Sequence, residues 1–123
     1  MGRRGRFHDQ DPARRLSAAV DRILGALADP VRRRAIDLLR ARPHSAGELA
    51  AALDLAPPAM SRHLRALKDG GLVEDGHPSF DARVRIYSLK DGATDELRRW
   101  LAETEALWAH QLSSFKHHVE GDE

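Results

Sequence analysis

The sequence predicts a mainly α-helical domain with one small β-hairpin, centred on two short helices joined by a tight turn. Three observations predict it. Apolar residues recur every three or four positions over 16–27, 31–39, 60–67 and 97–119, the spacing of helices with one buried face. Ser45, with Glu48 three residues on, opens a short helix that stops at Asp54 just before Pro57-Pro58 open another. Arg83-Val84-Arg85-Ile86-Tyr87-Ser88-Leu89 alternates strictly, the period of a strand.

The elements follow in order. Residues 1–15 hold five arginines, two aspartates and a proline without apolar periodicity, and are expected to form a flexible basic arm. From Leu16 the stripe Leu16, Ala19, Val20, Ile23, Leu24 and Leu27 predicts a helix ending near Ala28. Asp29-Pro30 caps and starts a second, with Val31, Ala35, Leu38 and Leu39 inward, ending before Pro43. Its Arg32, Arg33 and Arg34 are expected toward solvent, in part paired with Asp29 or Asp37. The capped helix through Leu49 to Leu53 turns at Asp54, a residue that tolerates left-handed geometry. Met60, Leu64 and Leu67 anchor the next helix, and Gly70-Gly71 stop it. Two short helices so joined form a helix-turn-helix. Leu72 to Asp75 and the alternating 83–89 run make a hairpin, with Val84, Ile86 and Ser88 on one face and Arg83, Arg85 and Tyr87 on the other. Asp91 or Thr94 then introduces a long helix over about 91–119, leaving 120–123 as a tail.

Composition narrows the function. A chain of 123 residues with 41% hydrophobic and 32% charged content allows one domain, here 16–119, and buries only about two-thirds of its surface, so sharing a core with a second copy would stabilise it. The absence of cysteine removes disulfides, zinc–thiolate sites and thiol nucleophiles. No run approaches the roughly 18 apolar residues of a membrane span, and the N-terminus lacks the apolar stretch of a secretory signal, so a cytoplasmic location and no membrane partner are expected. Net charge is only +1, yet residues 1–90 carry +6 and residues 91–123 carry −5. A basic body of this kind suits a polyanionic partner. No glycine-rich phosphate loop, H-E-x-x-H pair or nucleophile–base motif is present, which argues against an enzyme and against a bound cofactor.

The strings ALADPVRRRAIDLL, SAGELAAAL, PPAMSRHLRALKDGGLV and RVRIYSL, in this order, resemble the ArsR family of bacterial winged-helix repressors, and the resemblance covers about residues 23–118. The resemblance implies a winged helix-turn-helix homodimer that sets the second motif helix in a DNA major groove and pairs its terminal helices. The chain also departs from the family pattern. Ala56-Pro57-Pro58 stands where a Ser-Gln-Pro-like run usually caps the reading helix and supplies a base-reading Gln, while Ser61-Arg62-His63 matches the family's Ser-basic-His triplet. The cysteine pair of metal-sensing members would fall within Glu48 to Leu53 and is missing. The terminal-helix metal pattern, Asp-x-His-x10-His-x2-(His/Glu), fails in both registers: with His117 the first two ligands are Thr104 and Ala106, and with His118 the set is Glu105, Leu107 and Gly121.

The expected function is therefore a DNA-binding regulator, most simply a repressor on a two-fold symmetric operator, without metal and with an unknown effector. Arg62 is the candidate base reader, since a guanidinium can bridge O6 and N7 of guanine; its plainer role is a phosphate contact. Ser61 donates to phosphate or base or simply allows close helix approach, and His63 either joins the interface or packs. Arg65 and Lys68 are candidate phosphate contacts, and Arg83 and Arg85 candidate wing contacts or ordinary edge-strand charge. Ser45 and Ala59, near the starts of the two motif helices, complete the DNA-binding set. The candidate dimer face is Leu16, Val20, Leu97, Trp100, Leu101, Leu107, Trp108, Leu112 and Phe115. Two alternatives remain: a winged-helix protein-interaction module, favoured by the missing Gln, and a sensor with a histidine/carboxylate site using His110, His117 or His118.

Overall fold

The computed structural model describes residues 12–77 and 83–121, with side chains for 18–77 and 83–120. Residues 1–11 of the expected arm and 78–82 of the hairpin loop lie outside it, as does the side chain of Leu16. The first helix, α1 (Pro12–Leu27), begins four residues before its apolar stripe. It ends where α2 (Pro30–Ala41) begins, with the Asp29 carboxylate accepting from the Val31 amide at 2.7 Å and the Arg32 amide at 3.3 Å. That satisfies two of the three amides left unpaired at this helix start, since Pro30 carries no N–H.

Arg33 and Arg34 are exposed as expected, but Arg32 departs from expectation. Arg32 is half-buried rather than solvated, and its Nε donates to the Ala26 carbonyl at 2.7 Å. Arg33 Nη1 donates to the Leu27 and Ala28 carbonyls at 2.7 and 3.1 Å. The two side chains fold back onto the open carbonyl end of α1, where positive charge is favoured, instead of seeking carboxylates. Asp37 pairs with Arg40 at 2.8 Å.

A two-residue strand, β1 (His44–Ser45), precedes α3 (Ala46–Leu53) and was not expected. Ser45 then closes a capping box: its amide donates to Glu48 Oε1 at 2.8 Å and its Oγ accepts from the Glu48 amide at 3.1 Å. Asp54, at φ 56° and ψ 50°, turns the chain into α4 (Pro57–Asp69). The end of α4 is a Schellman motif, in which the Leu72 and Gly71 amides donate to the Leu67 and Lys68 carbonyls at 3.0 Å each. Gly71 supplies the positive φ of 77°. Gly70 serves a different need, because a Cβ there would meet Ala26 Cβ at 2.9 Å where α1 crosses α4.

The remaining strands, β2 (Val73–Gly76) and β3 (Ile86–Leu89), pair antiparallel, with β1 on the far side of β3. The register pairs Val73 with Leu89 and Asp75 with Tyr87. Cross-strand partners share a face, so the buried Val73 draws Leu89 and Tyr87 inward against the core. Tyr87, grouped by alternation with Arg83 and Arg85, thus packs inside, and Val84 is exposed because the ladder starts only at Ile86. Ile23, Ala26, Ala35, Leu39, Leu49, Met60, Leu64, Leu67 and Leu72 fill the core between helices and sheet.

The last helix, α5 (Asp95–Gly121), follows a turn with Gly92 at φ 72°, and the Thr94 carbonyl accepts its first bond from Arg98. At 27 residues it spans about 40 Å. Its first turns pack on α1, and Leu97 is half-buried against the chain's own core. Beyond Leu97 the stripe faces solvent, from Trp100 at 42% exposed to Trp108 at 65%. Val20, counted with the dimer face, is instead 3% exposed within a single chain and is a core residue.

Candidate nucleic-acid interface

The presentation of α4 follows from its anchors. Met60, Leu64 and Leu67 are completely buried, which fixes the helix against α1, α2 and α3 and turns Ser61, Arg62, Arg65 and Lys68 outward. Pro57 and Pro58 occupy its first two positions, with Ala56 as a cap that makes no side-chain bond. Proline carries no N–H, so this helix start offers a phosphate fewer amide donors than helix N-termini usually do. The anion-binding burden shifts to the side chains further along. Among the described residues, Arg62 and Arg65 are exposed and form neither an ion pair nor a hydrogen bond.

Other cations near them are engaged. Lys68 Nζ lies 2.7 Å from Asp75 Oδ1, and Arg85 Nη1 lies 2.7 Å from Asp75 Oδ2, so one carboxylate joins the end of α4 to the foot of the wing. The Lys68 ammonium bound to it, with Arg85 beside it, holds the Asp75 carboxyl below the usual carboxylate range against the opposing effect of desolvation. Around the start of α2, His63 Nδ1 sits at a long 3.5 Å from Arg32 Nη1. Because arginine only donates, that nitrogen is an acceptor in this contact. Desolvation works against the Asp29 carboxylate nearby, but the Val31 and Arg32 amides, together with the Arg32 guanidinium charge, lower its pKa.

The expected site residues thus fall into distinct groups. Ser61, Arg62 and Arg65 share the open face of α4, while Lys68 and Arg85 meet at Asp75. His63 is half-buried toward Arg32, Ala59 is half-buried at the helix start, and the Ser45 hydroxyl is occupied as a cap. Arg83 is exposed and lies before the strand. Sequence reasoning missed Asp75 and the buried His44, whose Nδ1 donates to the Arg42 carbonyl at 2.8 Å. An acidic residue two positions after the buried Val73 was the available signal for Asp75, since period two places both on one face. No group of three or more His, Asp or Glu side chains able to hold a metal ion occurs among the described residues.

Comparison with known proteins agrees with this geometry. Residues 27–75 match the helix-turn-helix domain family. The chain is 35% identical over 105 residues to the HTH-type transcriptional regulator Rv2034 of Mycobacterium tuberculosis, covering 84% of this chain and 92% of that one. It is 32% identical over 82 residues to the transcriptional repressor SdpR of Bacillus subtilis, covering 67% and 88% of the two chains. Among solved structures, an ArsR-like transcriptional regulator from Rhodococcus sp. RHA1 superposes with a TM-score of 0.72 at 28% identity, over 82% of this chain and 92% of the other. A three-stranded wing beside a helix-turn-helix, an outward basic face on the second motif helix, and relatives matched over nearly their whole length lead to one assignment: the chain belongs to the ArsR family of winged-helix, DNA-binding transcriptional regulators.

Proposed function

We propose that the protein is a homodimeric repressor that lays α4 of each subunit in the major groove of a two-fold symmetric operator. The observation that carries this reading is the open face of α4, where Arg62 and Arg65 stand exposed, without an anion among the described residues, on a helix held by three buried side chains. Arg62, nearer the helix start, reads a guanine, and Arg65 and Ser61 hold phosphates. Arg83 meets the backbone beside the groove. Repression is the activity named for the Bacillus relative. Dimerisation rests on the solvent-facing stripe of α5, Trp100, Leu101, Leu107, Trp108, Leu112 and Phe115, too large an apolar area for a monomer to leave in water. The protein acts in the cytoplasm, where its DNA is. No helix among the described residues is long and apolar enough to cross a membrane.

A salt titration tests the reading. On random duplex DNA the logarithm of affinity should fall linearly with the logarithm of salt concentration, by about 0.9 per phosphate neutralised. A duplex that the protein itself selects from a randomised pool should bind at least about a thousandfold more tightly. Binding with no salt dependence would instead favour a winged-helix module for a protein partner, the reading that the missing reading-helix Gln supports.

A further inference from the structure

We propose that Asp75 is a positioning residue of the DNA interface, whose carboxylate holds Lys68 and Arg85 where a backbone phosphate would otherwise sit and so weakens binding to DNA of any sequence. This rests on the DNA-binding reading above. Arg62, Arg65 and Lys68 recur at three-residue spacing, so they form one stripe along α4, and the stripe runs into the foot of the wing at Arg85. Its two ends differ. Arg62 and Arg65 have no anion among the described residues, whereas each oxygen of Asp75 takes one of the other two cations at 2.7 Å.

The burial pattern shows which partner is fixed. The Asp75 side chain is 7% exposed, while those of Lys68 and Arg85 are 51% and 50% exposed. Asp75 faces inward because it lies two residues from the buried Val73, opposite Tyr87. The carboxylate is therefore part of the fold, and the cations reach down to it from a surface open to solvent. A phosphate oxygen offers them the same charge-assisted hydrogen bond. Taking it would leave a desolvated carboxylate without its partners, a cost that Arg62 and Arg65 do not incur. Masking lowers the sequence-independent part of binding and leaves the reading end untouched, which widens the gap between operator and bulk DNA.

Asp75→Asn keeps the shape and removes the charge; Asp75→Glu keeps the charge. On random duplex between about 50 and about 200 mM salt, Asp75→Asn should bind more tightly than wild type at low salt. Its log–log slope should steepen by about 1.8 per subunit, equivalent to about a tenfold larger loss of affinity per subunit across that range. Asp75→Glu should stay near wild type, and adding Lys68→Gln to Asp75→Asn should remove about half of the gain. A wing merely loosened by the substitution would weaken binding without steepening the slope, and that result, or no change, overturns the proposal. Should Asp75→Asn melt far below wild type, the double change Lys68→Gln with Arg85→Gln reads the same point. A masked pair predicts a nearly unchanged slope on random duplex, and flattening by about 1.8 per subunit overturns it. Loss of all salt-dependent binding by the wild type overturns the DNA-binding reading and this inference together, whereas equal slopes in wild type and Asp75→Asn overturn this inference alone.

Discussion

Helices α4 and α5 are both amphipathic, yet they meet opposite fates within one chain. In α4 the apolar positions Met60, Leu64 and Leu67 are completely buried and the polar face is a row of cations. In α5 the apolar positions past Leu97 lie in solvent, although they include both tryptophans of the chain. Apolar periodicity therefore marks a face that must be covered without saying by what. For α4 the cover is α1, α2 and α3; for α5, a second copy is the cover we propose.

The largest effect should come from breaking the α5 side of this comparison. Leu112→Glu removes a side chain whose burial stabilises by roughly 1.5–3 kcal/mol, and a two-fold axis counts every change twice. Light scattering at micromolar concentration should give twice the chain mass for wild type and the chain mass for the variant; a monomeric wild type would refute the dimer. Next comes the α4 side. Leu64→Ala empties a fully buried site and should cost about 2–5 kcal/mol in denaturant unfolding, whereas the same change at Leu107, 61% exposed in one chain, should act through association and so depend on protein concentration.

Acid provides a smaller test. Asp75, bound by Lys68 and Arg85, has its pKa lowered in the folded chain, so its contribution is present above the ordinary Asp value of 3.8 and is lost as pH falls below that value through the folded one. Asp75→Asn should reduce stability at neutral pH, and the difference from wild type should shrink in acid titrations below about pH 4. A gap that persists unchanged there would show that the ion pairs do not stabilise the fold. The smallest expected effect is none: one equivalent of zinc, nickel, copper, cadmium or arsenite should leave operator affinity unaltered, because the chain has no thiolate for soft ions. A tenfold loss reversed by chelator would assign a metal role to His110, His117 or His118.

What was legible in the sequence was local. The Ser45–Glu48 box, Pro30 and Pro57 at helix starts, Asp54 at the turn and Gly70-Gly71 at the stop each act within a few residues, and each lies where such signals place it. Features set by pairing across the chain were not legible. Strand β1 is two residues long, too short for any period, and exists because His44 and Ser45 pair with Tyr87 and Ile86. The inward face of β3 depends on its register with Val73, not on its own alternation. At the interface, the basic stripe of α4 could be read from spacing, but its division at Asp75 could not, because the carboxylate and its two cations lie on three separate segments.

Whether the open end of α4 reads sequence is tested most directly by Arg62→Ala. The measurement is a matched titration of wild type and variant on the self-selected duplex and on its scrambled version, at three salt concentrations. The variant should lose roughly 1–3 kcal/mol on the selected duplex and much less on the scrambled one, because the deleted contact carries base information. An equal loss on both duplexes, with a slope flattened by about one per subunit, would make Arg62 a phosphate contact and contradict the assignment of specificity to this face.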